Sequence, residues 1–317
     1  MKIWFGRFLI VFLTLIVCAG AASATTLIPG GQVIGLTISD DSVSVAGFHE
    51  TFGQAAKSAG LCEGDRILEI DGQSVKAVED LRNALKKSDG TVELSLSRKG
   101  KNLKLRLSPV VTEDGPKLGV FLRQGISGLG TVTYYEPESG TFGALGHGVN
   151  TPAGKPVTCR GGQVYEAKVF SVKKGAVGAP GQLLGQLTEE VAVGSVAKNT
   201  AQGVFGAVAA KADVPLPTGQ AQVGKAVIRS TVCEKGLQEY SVEILKVYPQ
   251  GKERTRNMLL KVTDNRLLET TGGIVQGMSG SPIIQDGKLV GAVTHVLVND
   301  PTTGYGIFIE NMLDAAA

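Results

Sequence analysis

The chain has 317 residues, enough for one or two domains with buried cores. Hydrophobic residues make up 43% and charged residues 19%, a composition that excludes a disordered chain. The formal net charge is +3, and two of those positive charges, Lys2 and Arg7, lie in residues 1–24, which hold no acidic residue. Nothing resembles the basic stripe of a nucleic-acid-binding protein, so we expect no nucleic-acid partner.

The first 24 residues have the pattern of an export signal. Lys2 and Arg7 precede an apolar run over 8–22, which is followed by the small residues Ala22-Ser23-Ala24. The run is shorter than the roughly 20 residues that span a bilayer. We therefore expect residues 1–24 to be a signal peptide cleaved after Ala24, with a retained membrane anchor as the alternative, and the rest of the chain to be exported.

The cysteines do not indicate a disulfide framework or a zinc site. Cys18 lies in the leader, which leaves Cys62, Cys159 and Cys233, an odd number without a CxxC pair. Three small buried cysteines are the main prediction, and one bridge with a leftover thiol is the alternative. We expect no metal and no cofactor.

Residues 54–75 predict a compact run of elements. They form a short helix that ends at Gly60, a turn at Gly64-Asp65, a strand over Arg66–Ile70 and a tight hairpin turn at Asp71-Gly72. A second helix is expected from Asp80 to Lys87, because its apolar residues recur on one face, and strands are expected over 92–97 and 103–107.

This stretch, with its ordered pattern A-G-L-x-x-G-D-x-I-L-x-I-D-G, resembles a PDZ domain. The resemblance implies a small α+β domain over 30–110, a partly open barrel with two helices, which binds a peptide by strand addition at a sheet edge. The candidate for its carboxylate-binding loop is Val45-Ala46-Gly47-Phe48. The alternative is a segment that only packs against the domain after it.

From Gly119 onward the pattern changes to short strands separated by glycine turns. Even spacing and the 43 glycines of the chain predict a mainly β domain over 111–317, either one barrel or two. The predicted strands are Gly119–Leu122, Gly130–Tyr135, Val164–Lys173, Tyr240–Val247, Met258–Val262, Ile283–Ile284 and Leu289–Val298.

The run from Gln276 to Pro282 predicts a catalytic serine. Ser279 stands in a turn with glycine at 277 and 280, which would lift its hydroxyl out of the backbone. The N–H groups of Gly277 and Ser279 could then converge on one small space and form an oxyanion hole. The alternative is a glycine-rich hairpin with an incidental serine.

A nucleophilic serine needs a base, and the chain has three histidines. His49 lies in the PDZ-like segment, whereas His147 stands between two glycines in a sterically open turn. We favour His147 over His295 as the base.

A catalytic histidine is usually oriented by a carboxylate, but the residues by themselves leave Asp264, Asp286 and Asp300 open.

Residues 119–314 resemble the stage IV sporulation protein B serine peptidases. The family is chymotrypsin-like, so the resemblance implies a double β-barrel after the PDZ domain. It also implies Asp264, 15 residues before Ser279, as the third member of a Ser-His-Asp triad. The blocks that carry the resemblance are Gly143-Ala144-Leu145-Gly146-His147, Gly178-Ala179-Pro180-Gly181-Gln182-Leu183, Asn199-Thr200, the run from Gly272 to Pro282, Gly291-Ala292-Val293-Thr294-His295 and Asn299-Asp300-Pro301.

The strand after the serine lies along the substrate cleft in chymotrypsin-like enzymes. We expect Thr294 to occupy the hydroxyl position that supports the catalytic carboxylate, and His295 to project toward the substrate. The alternative for His295 is a core histidine bonded to a backbone carbonyl.

This resemblance implies that the protein is an exported serine endopeptidase of sporulation signalling. It would cleave a membrane-associated regulator in the space between the forespore and mother-cell membranes, and itself, while the PDZ domain binds a substrate or partner peptide. The alternative is a non-catalytic adaptor with a protease-like shell that binds a membrane regulator. The presence of His147, Asp264 and Ser279 together argues against an adaptor.

Overall fold

A computed structural model describes residues 25–151, 154, 156–209, 213–249 and 255–317. The predicted leader, with Cys18, lies outside these residues. None of the helices in the described ranges has the length and apolar character needed to cross a membrane.

The described chain is built mainly from strands. Its helices are α1 (Gln54–Ser58), α2 (Val78–Lys87), α3 (Asn265–Thr271) and α4 (Ile309–Ala316). Its strands are β1 (Thr26–Pro29), β2 (Val33–Phe48), β3 (Arg66–Ile70), β4 (Gln73–Ser74), β5 (Val92–Arg98), β6 (Lys101–Leu107), β7 (Val110–Thr112), β8 (Gly115–Lys117), β9 (Val120–Tyr135), β10 (Thr141–Ala144), β11 (Gly161–Lys173), β12 (Gln182–Thr200), β13 (Gly203–Val208), β14 (Leu216–Pro217), β15 (Gly224–Thr231), β16 (Leu237–Val247), β17 (Met258–Val262), β18 (Pro282–Gln285), β19 (Lys288–Leu297) and β20 (Asp300–Phe308).

Two closed antiparallel barrels form the larger part of the fold. In the first, the pairing order β9-β10-β13-β12-β11-β2 is closed by pairing of β2 with β9. In the second, the order is β15-β16-β17-β20-β19-β18, closed by pairing of β15 with β18. Closure leaves no free sheet edge in either ring. The predicted chymotrypsin-like double barrel is confirmed.

Alternation along the strands fills each barrel. On β16, Tyr240, Val242 and Ile244 are buried while the residues between them are exposed. Phe142, Val164 and Val204 lie in the core of the first barrel. A period of two residues places every second side chain on the inner face, so each ring closes around its own apolar core.

The PDZ-type module contains α1, α2, β3 to β6 and the outer halves of β2 and β9, which share one core. Asp71 and Gly72 have φ of 50° and 75°, so the predicted tight turn after β3 is confirmed. Asp65, fully buried, pairs with Arg98 at 2.6 Å through both carboxylate oxygens. This pair explains why the motif needs an acidic residue after Gly64.

The module is inserted between two neighbouring strands of the first barrel. The inner half of β2, Val33–Ile38, pairs with residues 126–131 of β9, and its outer half, Val43–Phe48, pairs with residues 120–124. Residues 33–38, which fall within the predicted domain 30–110, are therefore part of the first barrel in the structure. A strand before the module pairs with one after it, and local patterns do not show such a pairing.

The three cysteines outside the leader are free. Cys62 is exposed, and Cys159 and Cys233 are half-buried. The prediction that all three are buried is wrong: Cys62 lies in an exposed loop before the Gly64 turn, and Cys159 and Cys233 pack only partly against the barrel cores.

Candidate active site

The nucleophile turn lies between the two barrels, just before β18. Gly277 and Gly280 have φ of +100° and +99°, a conformation that favours glycine. A Cβ atom at position 280 would lie 2.1 Å from the carbonyl oxygen of Thr131. Glycine at 280 therefore lets the turn approach the first barrel closely.

Ser279 is held by the strand that follows it. Its hydroxyl donates a hydrogen bond to the carbonyl oxygen of Thr294 at 2.8 Å. The N–H groups of Gly277 and Ser279 donate to no acceptor within the described part of the chain, whereas the N–H between them, of Met278, donates to Val275 O. Two free donors on either side of Met278 agree with the expected oxyanion hole.

His147 lies on the first barrel, in the turn after β10. Leu145 and Gly146 have φ of 69° and 67°, and a Cβ atom on Gly146 would lie 2.9 Å from Thr294 Cγ2. The turn therefore packs against β19 of the second barrel. His147 Nδ1 faces Gly148 O at 3.0 Å, and Nδ1–H as the donor leaves the Nε2 lone pair free.

Burial lowers the pKa of His147 from its usual 6.5, and the hydrogen bond to Gly148 offsets part of that effect. The imidazole therefore stays neutral, as a base must, to more acidic pH than an exposed histidine.

One pocket of about 570 Å³ brings together most of the predicted site residues. Its walls include Ser279, Gly277, His147, Thr294 and His295. The rings of His147 and His295 lie 5.4 Å apart, tilted by 42°. The barrels thus supply the serine and the favoured base from opposite sides of one cleft.

His295 lines this pocket with a buried Nδ1 that has no hydrogen-bond partner in the described residues. Burial, and then the neighbouring His147 and Arg256, lower its pKa to about 4. The alternative prediction required a backbone carbonyl partner for this ring, and the described chain offers none at Nδ1.

Thr294 does not have the surroundings predicted for it. Its side chain is 2% exposed, and its hydroxyl is directed at the carbonyl oxygens of Thr255 and Tyr305, at 2.9 and 3.2 Å. Among the described residues, no carboxylate is bonded to it. Because the hydroxyl points into β20, Thr294 contributes to the pocket through its backbone carbonyl.

The structure does not bring Asp264 to His147. Asp264 is the N-cap of α3, where it accepts hydrogen bonds from the N–H of Arg266 and Leu267 and forms an ion pair with the Arg266 side chain at 2.8 Å. Its other oxygen accepts from Ser241 N. Arg266 lowers the pKa of Asp264, more strongly than its partial burial raises it. An aspartate before a helix satisfies free backbone N–H groups, and this role occupies the carboxylate.

None of the described residues that line the pocket is acidic. Asp286 lies in the exposed turn between β18 and β19, and Asp300 bonds to the hydroxyls of Thr302 and Thr303. In this structure the atom that faces His147 Nδ1 is the carbonyl oxygen of Gly148.

Sequence reasoning missed three residues that hold the site. Thr131 and Thr133 of β9 donate their hydroxyls to Gly277 O and Gly280 O, at 2.6 and 2.8 Å. The amide of Asn199 bonds to both backbone groups of Val149 and to Val157 O, which fixes the loop after His147. For Asn199, the Asn199-Thr200 block of the family resemblance was a signal in the sequence. For Thr131 and Thr133 there was none, because a threonine in a strand is not distinctive.

A second groove lies on the PDZ-type module. It has a volume of about 610 Å³ and runs between α2 and the segment Leu118–Leu122. The predicted carboxylate-binding loop, Val45–Phe48, lies elsewhere: it is part of β2 and pairs with β9. That pairing leaves it no freedom to form a loop.

A family model described as SpoIVB peptidase S55 matches residues 114–313, well over half of the chain. The chain belongs to the SpoIVB peptidase S55 family. A PDZ domain model matches residues 25–97, before the peptidase match. The chain therefore combines a PDZ domain with a SpoIVB-type peptidase domain, in the predicted order.

Bacterial proteins named as zinc metalloproteases match parts of the chain. One from Agrobacterium fabrum is 37% identical over 89 residues, 28% of this chain and 22% of that protein. One from Vibrio cholerae is 30% identical over 152 residues, 48% of this chain and 32% of that protein. This peptidase thus spans about a fifth to a third of the length of these relatives. Its histidines, His49, His147 and His295, do not form the His-Glu-x-x-His motif of such enzymes.

Two solved structures are similar to parts of the peptidase. The Rv3671c protease of M. tuberculosis, in its active form, is 17% identical and covers 60% of this chain and 72% of its own, with a TM-score of 0.34. The PDZ domain of an SdrC-like protein from Listeria monocytogenes is 24% identical and covers 26% of this chain and 87% of its own, with a TM-score of 0.23. Because these TM-scores are low, the description of the fold depends on the strand pairings given above and not on these two structures.

Proposed function

We propose that this peptidase is an exported endopeptidase of sporulation signalling that cleaves a regulatory protein in or between membranes, and also itself. The observation that supports catalysis is the shared pocket: Ser279, His147 and two free backbone N–H groups line one cleft between the barrels. The family supplies the sporulation context, and the predicted leader in residues 1–24 supports export.

The proposed mechanism uses Ser279 as nucleophile and His147 as base. The Ser279 hydroxyl leaves Thr294 O and turns to His147 Nε2, which takes its proton as Oγ attacks the scissile carbonyl carbon. The resulting oxyanion accepts hydrogen bonds from the N–H groups of Gly277 and Ser279. The protonated imidazole returns the proton to the leaving amine, and water then hydrolyses the acyl-enzyme by the same steps.

Gly148 O takes part of the role usually given to a carboxylate. As acceptor from Nδ1–H it holds the tautomer in which Nε2 is basic. A carbonyl dipole stabilises imidazolium less than a full negative charge does. A dyad of this kind suits a slow, selective signalling peptidase.

The PDZ-type module is proposed to bind a substrate or partner peptide. At Val120–Leu122, β9 pairs with β2 on one side, and its other side faces the α2 groove with no strand partner in the described chain. A peptide could add there as a further strand. Leu81 and Leu85 of α2 line the apolar side of the groove.

A fluorophosphonate probe tests the catalytic part of this proposal. We expect it to label Ser279 in the folded protein and to leave the Ser279→Ala variant unlabelled. Mass spectrometry of both forms after purification would then report self-cleavage and the fate of residues 1–24. A folded wild-type protein that neither reacts with the probe nor cleaves any peptide would favour the adaptor alternative.

A further inference from the structure

Thr131 touches both halves of the proposed catalytic machinery. Its N–H donates to Ser279 O at 3.2 Å, and its hydroxyl donates to Gly277 O at 2.6 Å. Its carbonyl oxygen accepts from the N–H of Leu145 at 3.1 Å, two residues before His147. The side chain is fully buried, so water cannot replace these partners.

These contacts fix the orientation of the peptide groups around Ser279. Gly277 O and Ser279 O point at Thr131, so the peptide planes that contain them are held from the first barrel. The Thr133 hydroxyl donates a third hydrogen bond to this turn, to Gly280 O at 2.8 Å. The Ser279 turn is therefore set by β9 as well as by its own barrel.

Strand β9 continues from these threonines to the groove of the PDZ-type module. Residues 126–129 form a wall of the active-site pocket, and Val120–Leu122 form a wall of the α2 groove. The hydrogen-bonded partner along almost the whole distance is β2. One strand thus borders both pockets.

The junction between the two parts of β9 is tightly packed. Gly125 has φ of +78°, and a Cβ atom there would lie 2.0 Å from Ile38 O. The neighbouring Gln124 side chain accepts a hydrogen bond from Val78 N, at the start of α2, at 3.3 Å. A shift of α2 would therefore act on β9 directly beside this glycine.

We propose that β9 couples the α2 groove to the Ser279 turn, with Thr131 as the positioning residue at the catalytic end. A peptide added along Val120–Leu122 changes the packing of β9 against α2. Because β9 is rigid, this change shifts Thr131 and thereby the carbonyl groups of Gly277 and Ser279 that are bonded to it. This inference rests on the proposed function, because it describes the regulation of the same site.

The first test removes one hydroxyl. Thr131→Val keeps the shape of the side chain but leaves Gly277 O without its partner, and we expect the rate of fluorophosphonate labelling and kcat on a short peptide to fall by about tenfold, with KM little changed. Thr131→Ser should restore most of the rate. Thr303→Val removes another buried hydroxyl, bonded to Asp300 and away from both turns, and controls for lost stability. Equal losses in Thr131→Val and Thr303→Val would overturn the positioning role.

The second test is a double-mutant cycle along β9. Phe121 lies on the groove wall and is 58% exposed, so Phe121→Ala costs little core packing. In the double variant Phe121→Ala/Thr131→Val, the labelling rate should differ by about threefold or more from the product of the two single effects. Distant sites that are independent would give additive free-energy changes and no such difference. The matched control is Val111→Ala, an exposed residue of β7, which should be additive. Additivity in both cycles would overturn the coupling.

Hydrogen exchange separates this inference from the proposed function. In the intact chain, the hydrogen-bonded amides of Met278, Gly280 and Ser281 should exchange faster in Thr131→Val and in Phe121→Ala than in wild type, whether or not Ser279 reacts with a probe. Unchanged exchange in Phe121→Ala would refute the link even in an active enzyme. A wild-type protein without probe labelling would refute only the proposed catalysis.

Discussion

Ser279 donates its hydroxyl hydrogen to the carbonyl oxygen of Thr294, at 2.8 Å, and not to a histidine. Thr294 is the residue directly before His295, so the nucleophile is tied to the strand that borders the substrate pocket. In the proposed mechanism, this hydrogen bond must break before His147 can accept the proton from Ser279.

Loss of either proposed catalytic residue should abolish cleavage. We expect Ser279→Ala and His147→Ala each to lower kcat on a short peptide by roughly a thousandfold or more, and the double variant to be scarcely worse, because the two act as a unit. Ser108→Ala is the control, since Ser108 is exposed and lines neither the active-site pocket nor the α2 groove. Full activity in Ser279→Ala would contradict the mechanism.

The acid side of the pH–rate profile should report His147. Burial lowers its pKa below 6.5, and the neutral form is the active base, so kcat/KM should stay high below pH 6.5 and fall only as the pH passes through the lowered pKa. Steady-state assays on a short peptide would measure this, with circular dichroism at each pH to show that the fold persists. An acid limb with an apparent pKa above 6.5 would be inconsistent with a buried base.

Asp264→Asn should affect stability more than chemistry. The charge lost from the α3 cap and from Arg266 is expected to cost about 1 kcal/mol of unfolding free energy at neutral pH. Because the pKa of Asp264 is lowered in the folded state, its contribution is present above the usual 3.8 and is lost as the pH falls through the lowered value. Urea unfolding of both forms at about pH 7 and about pH 3 should show the difference shrinking in acid.

The control for Asp264 is Asp286→Asn, in the exposed turn before β19, which should leave stability nearly unchanged. Probe labelling of Ser279 should be equal in all three proteins. A folded Asp264→Asn variant that reacts a hundredfold more slowly would return Asp264 to the triad.

His295→Ala should change substrate preference without removing the nucleophile. The ring lines the pocket, so it can contact a substrate side chain, and its pKa of about 4 keeps it neutral near physiological pH. We expect the wild-type cleavage profile on a peptide library to be the same at about pH 5.5 and about pH 7.5, and the variant to lose preference for polar residues at both. An unchanged profile in His295→Ala, or loss of probe labelling, would contradict a role in specificity.

The inserted position of the PDZ-type module predicts which deletion folds. Ile38 and Ile126 are directly paired, so replacing residues 39–125 by Asn-Gly should close β2 and β9 as a two-residue hairpin. That variant should unfold cooperatively in urea. Deletion of residues 30–110 removes β2 from the first barrel and should give an unfolded or aggregated chain, and a well-folded product would argue against the observed closure of the ring.

Local sequence determined the parts of this protein whose geometry is set by neighbouring residues. The Asp71-Gly72 turn, the strand Arg66–Ile70 and the glycine-framed turn at Ser279 all appear where the pattern predicts them. Backbone with positive φ demands glycine or a short polar residue, and strand alternation reports burial, so such features can be read along the chain. The family resemblance added the double barrel.

Tertiary structure alone decided what depends on residues far apart in sequence. Thr131 and Gly277 are 146 positions apart, and no local pattern marks a threonine whose hydroxyl reaches a distant carbonyl. The pairing of Val33–Ile38 with β9 could not be predicted from the sequence for the same reason, because the whole PDZ-type module separates the two strands along the chain. Asp264 shows the converse: the family resemblance implied a catalytic role, but its place before α3 gives its carboxylate nearer partners, because a helix N-terminus and an arginine satisfy it locally.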